Sequence, residues 1–215
     1  MSFTAASSAP RVRSVPTILG QTMFLVAAAL GLCALGSVLG RDLSAGAARF
    51  CSFAGLGMLI AQSFVRPLRY GSLGIGWLAG LAVLIGFGLG PIIGYIAEVD
   101  PSALTTAVAL TALTVAGMGA LGFVLSKDLR GWMRPLSFIV LGAVVVSIVG
   151  IVVGGLGALS PVISIVILAA SALLILVDFN YIRKHATEDD VIWLATGIFV
   201  SIVNIFISLL SLSRN

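Results

Sequence analysis

Apolar residues fall along this chain in seven long runs, separated by short segments that hold nearly all the charge. The runs lie near residues 18–39, 48–65, 71–97, 102–125, 135–155, 160–182 and 190–212. Each is long enough to cross a hydrocarbon core about 30 Å thick as a helix. The short alternating strands of an outer-membrane barrel are absent. The pattern predicts an all-α integral membrane protein with seven transmembrane helices over residues 17–215. A polar tail rich in Ser, Ala and Pro, residues 1–16, is expected to be disordered.

The helix starts carry local signals. Asp100-Pro101 and Ser160-Pro161 each set a capping side chain before a proline at the first helical position. Thr187 with Asp190 three residues on predicts a capping box for the last helix. Gly76 and Gly80, then Gly86, Gly90 and Gly94, then Gly150 and Gly154 recur at intervals of four, a spacing that lets helix backbones approach. Pro91 should kink the third helix or interrupt its hydrogen-bond ladder.

Composition supports a lipid-solvated bundle. The 215 residues are 60% hydrophobic and 9% charged, against about a quarter charged in a soluble domain. The lipid bilayer is therefore the main partner. The net charge of +4 does not mark a nucleic-acid binder, since the basic residues cluster between apolar runs and form no stripe with aromatics. With the N-terminus in the cytoplasm, nine of the 12 Lys and Arg lie in cytoplasmic segments and three outside, which favours that orientation and an external C-terminus. Short loops and Gly- and Ala-rich spans suggest a bacterial inner membrane. The first run could imitate a signal peptide, but Ile18–Leu39 is too long for one and is expected to remain as a helix.

The candidate chemistry is sparse. Cys33, Cys51 and the lone His185 cannot assemble a metal site from conventional ligands, and the cysteines are expected to be packing residues, so no cofactor is expected. No acid or base falls in the middle of a span, which excludes a retinal protein and an intramembrane serine protease. No residue cluster supports an enzyme. Asp178 is the most informative acid: it follows the run Val162–Val177 and precedes the largely apolar Phe179-Asn180-Tyr181-Ile182. It is either a functional group inside the sixth helix or an interfacial residue paired with Arg183 or Lys184. On the last helix Gly197, Ser201, Asn204, Ser208 and Ser211 recur at spacings of 4, 3, 4 and 3, one face that avoids lipid. Packing and inter-helix hydrogen bonds account for that seam; a hydrated path is the sharper alternative.

The stretch Asp178 to Leu210 resembles the transmembrane Bax-inhibitor-motif family. The matching residues are Asp178, Asn180 and Ile182, then His185, Thr187, Glu188 and Asp189, then Asn204-Ile205-Phe206 and Leu209-Leu210. Gly90-Pro91-Ile92-Ile93 and Lys127-Asp128-Leu129 resemble further family signatures, so the likeness covers nearly the whole chain. It implies six helices around a central C-terminal one and a pH-sensitive calcium leak, with Ca2+ as transported ion rather than cofactor. In such a leak an acid on the sixth helix shares protons with an acid on the seventh. The first acid maps onto Asp178 and the second onto Ser201, which is no acid. Arg66 or Arg69 is the implied basic partner of Asp178. A symmetric hairpin between the last two helices would set Asp178 level with about Ala195, and Ser201 roughly 9 Å deeper. The missing second acid also motivates the alternative of a non-transporting regulator that binds another membrane protein.

Overall fold

The computed structural model of the chain describes residues 14–153 and 160–213; side chains 147–153 and 160 lie outside the description. Seven long helices follow in order: α1 Val15–Leu39, α2 Ala45–Phe64, α3 Gly71–Val99, α4 Pro101–Val124, α5 Met133–Val153, α6 Ser160–Lys184 and α7 Val191–Leu212. Among the described residues there is no strand. Six of the seven meet the length and apolarity of a membrane span. The seventh, α5, has 21 residues of which Arg134 alone is charged. The expected polar tail and the Gly154 end of one glycine pair lie largely or wholly outside the described residues, as does the capping side chain of Ser160.

The expected caps form where the chain supplies them. Asp100 accepts from the Ala103 amide at 3.0 Å, with Pro101 opening α4. Asp190 Oδ2 accepts from Thr187 N at 2.9 Å and from Thr187 Oγ1 at 2.8 Å, fixing the 3-10 turn that leads into α7. Ser44, an unforeseen cap, accepts from Ala47 N at 3.3 Å to start α2. α3 runs uninterrupted through Pro91.

Six helices enclose α7. Buried positions make up 61% of α7 but only 17–33% of the other five spans measured, so α7 is the core and the rest face lipid on one side. The main cluster joins Val26 and Ala29 of α1, Leu78 and Ala82 of α3, and Ile175 and Ile182 of α6 to Leu194, Ile198, Phe199 and Val203 of α7. α2 lies mainly against α3, and reaches α7 through Gln62, whose Nε2 donates to Thr196 Oγ1 at 3.2 Å. α5 packs on α6 through Met133, Leu136 and Val140.

Two glycine faces make a tight crossing of α1 and α3. A Cβ on Gly86 would stand 2.3 Å from the Cys33 carbonyl, and one on Gly90 2.5 Å from Gly40 C. Both clashes are with backbone, so α1 and α3 approach only because these positions lack a side chain. Gly36 and Gly40 of α1 complete the crossing and were not singled out by spacing in the sequence. Gly76 has no atom within 4 Å and Gly80 meets only Met58 Cε at 3.6 Å, so that pair makes no close approach. Gly86→Ala should therefore destabilise the bundle by about 1–3 kcal/mol through overpacking. Gly76→Ala, on an exposed helical face, should be neutral or stabilise by up to about 1 kcal/mol. Thermal unfolding of both variants in detergent separates the two; equal shifts would show that the crossing is not tight.

Candidate functional site

Asp178 lies inside α6, six residues before its end, about 9 Å along the axis. Its side chain is buried, with 5% of its surface exposed. Among the described residues no hydrogen bond or ion pair reaches its carboxyl. Neither of the expected local partners is used on it. Arg183 Nη2 donates to the Leu125 carbonyl at 2.8 Å, and Lys184 Nζ donates to the Ser126 carbonyl. The interfacial pairing considered from sequence is thus not formed.

The expected basic partner is also engaged elsewhere. Arg69 donates through Nε to the Gln62 carbonyl at 2.7 Å and through Nη2 to the Ser63 carbonyl, closing the end of α2. Arg66 is exposed in the 3-10 turn that follows α2. No ion pair joins either arginine to Asp178 among the described residues.

What faces Asp178 is a glycine of α7. A Cβ on Gly197 would stand 3.6 Å from Asp178 Oδ2, with no other atom within 4 Å, and Gly197 itself is exposed although the residues flanking it are buried. The carboxyl therefore looks onto open space that the missing side chain leaves. Ser201, the position of the implied second acid, is buried one turn further along α7, about 6 Å beyond Gly197. It makes no hydrogen bond to Asp178 among the described residues. Asn204 is half-buried another turn on. At the far end Ser164 of α6 donates to Ser211 of α7 at 3.3 Å. The polar seam expected on α7 thus lies against α6, with Asp178 at one end and the serine pair at the other.

The neighbouring motif residue Asn180 has a separate job. It is fully buried and bonds three ways: Oδ1 accepts from Leu129 N at 3.1 Å, and Nδ2 donates to Gly122 O at 3.1 Å and Leu125 O at 3.0 Å. His185 Nε2 meets Asp128 Oδ2 at 2.8 Å in the same α4–α5 loop. The Arg130 amide, donating to Asp128 at 2.9 Å, and then His185 hold the Asp128 carboxyl below the usual carboxylate range. α6 therefore clasps that loop beside the acid. Sequence reasoning placed Asn180 in a motif without assigning this role. It missed Gln62, a buried amide visible as a polar residue inside an apolar run, which ties α2 to α7.

A bundle of six apolar helices, closed on a seventh whose polar seam meets an enclosed acid, defines a polytopic integral membrane protein with a polar site inside the bundle. The chain belongs to the Bax1-I family, inhibitor of apoptosis-promoting Bax1, whose model matches residues 15–215. No curated protein matches it.

Proposed function

We propose that the protein is a cation leak, with Asp178 at the entrance to the seam between α6 and α7. One observation carries this reading: an acid enclosed in the bundle, without a protein partner among the described residues, opens on the space beside Gly197. An enclosed carboxyl left unpaired is costly, and intramembrane acids of this kind mark ion or proton paths. A proton or a passing cation completes it. Calcium is the cation that the family resemblance suggests, and a carboxylate oxygen is a ligand type calcium prefers.

The test is flux. The full chain, reconstituted in liposomes holding a calcium-sensitive dye, should pass calcium faster than empty vesicles. Flux indistinguishable from empty vesicles across the mildly acid to neutral range would refute the reading. The charge distribution, nine basic residues against three, supports placing the Asp178 end at the cytoplasmic face of a bacterial inner membrane. Reporter fusions at Ser2 and Asn215 should then appear on opposite sides; the same side for both would overturn that orientation.

A further inference from the structure

Ser171 is the anomaly of α6. Its side chain is fully buried, and among the described residues its Oγ is a buried polar atom with no hydrogen-bond partner. Several other helical hydroxyls turn back on their own helix: Thr22 to Ile18 O, Thr111 to Ala107 O and Ser137 to Met133 O, all within 2.7–2.8 Å. Ser171 makes no such bond to Ile167 O. A buried hydroxyl left without a partner is rare, because its lost hydration is not replaced.

The register of the two helices says what it faces. Asp178 lies opposite Gly197, and Ser164, fourteen residues earlier on α6, lies opposite Ser211, fourteen residues later on α7. Antiparallel helices in that register set Ser171, midway on α6 and on the same face by its seven-residue spacing, opposite Asn204, midway on α7. Asn204 is half-buried, and its amide makes no hydrogen bond among the described residues. Ser201 and Ser208, three and four residues away on the same seam, are buried and likewise make none. Ser171 and Asn204 thus share one level of the seam, with Ser201 about 4–5 Å to one side of it and Ser208 about 6 Å to the other along α7.

We propose that this level is a binding site for a water molecule held between Ser171 Oγ and the Asn204 amide. A buried water needs two to four polar partners and a polar enclosure, and this level supplies both. Water matches the donor set better than a bare cation, since no charged group lies at that level among the described residues. The site extends the seam beyond Asp178, yet it does not require the seam to conduct: a bundle that passes no ion must still satisfy Ser171.

Two measurements on the full chain test it. Ser171→Ala removes a single atom, and Asn204→Ala removes the opposite amide. Each should lower the thermal midpoint in detergent by about 2–4 °C, and the double variant should fall no further than the worse single one, because either truncation already releases the shared water. Additive losses would overturn the site. A high-resolution experimental map should show a water within hydrogen-bond distance of both residues. A map with Ser171 bonded directly to Ile167 O or to Asn204, with nothing between, would overturn it whatever the flux assay gives.

Discussion

Asn180→Leu should destabilise the protein by about 3–5 kcal/mol, the largest stability loss expected of any single exchange discussed. The side chain is fully buried and each of its polar atoms is engaged. Leucine is of similar size, so the loss is one of hydrogen bonds rather than volume. Three bonds vanish; the Leu125 carbonyl keeps Arg183, but the Leu129 amide and the buried Gly122 carbonyl lose the partner Asn180 supplied. Each typical bond contributes about 1 kcal/mol, and a stranded buried group costs about 1–3 kcal/mol more. The thermal midpoint should fall by roughly 10 °C. Asn180→Asp is the sharper control. A carboxylate still accepts from Leu129 N, but it cannot donate to Gly122 O and Leu125 O and would set negative charge against both carbonyls. It should therefore fall at least as far as leucine. A change within 2 °C for either variant would show that the α4–α5 loop does not depend on this clasp.

The helices and two of the caps were legible in the sequence because their causes are local. An apolar run of span length, Asp100 before Pro101, or Thr187 three residues before Asp190 needs no knowledge of neighbours. Asp178 was legible for the same reason: an acid inside an apolar run is conspicuous wherever the helix packs. Its surroundings were not, because register depends on how the α6–α7 hairpin closes. A hairpin centred near Ala186 sets Asp178 level with Ala195. In the structure α6 runs to Lys184, and a 3-10 turn precedes Val191, so the hairpin closes between Thr187 and Glu188. That shift of about one residue in the centre moves α7 by two, and Gly197 takes the place opposite the acid. The partners of Arg69, Arg183 and Lys184 were hidden for a related reason. Each donates to carbonyls at a helix end or in a loop, and backbone acceptors leave no residue type to recognise. Proximity along the chain suggested Asp178 for Arg183 and Lys184, and the family resemblance suggested it for Arg69.

Asp178→Asn should lower calcium flux at least tenfold and remove any dependence of that flux on pH. Asparagine keeps the shape beside Gly197 but can neither ionise nor release a proton. Gly197→Leu should lower flux as much by a different route, since its side chain would fill the open space that the carboxyl faces. Gly197→Ala is the control: its Cβ would lie 3.6 Å from Asp178 Oδ2, an ordinary contact, so flux should stay within about twofold of the parent. The parent's own pH response should follow a single one-proton step, because Ser201 supplies no second charge to couple with Asp178. Ser201→Asp should change that. The new carboxyl would sit one turn from Gly197 on the same seam, about 6 Å along α7, near enough for like charges to disfavour joint ionisation. Flux through this variant should therefore change with pH in two separated steps, and the double variant Asp178→Asn with Ser201→Asp should show one, because a lone acid has no partner to couple with. Liposome flux measured across the same pH series for the parent and these variants separates the cases. A steep response in the parent that survives Asp178→Asn would place the sensor on another group and end the case for Asp178 as the gate.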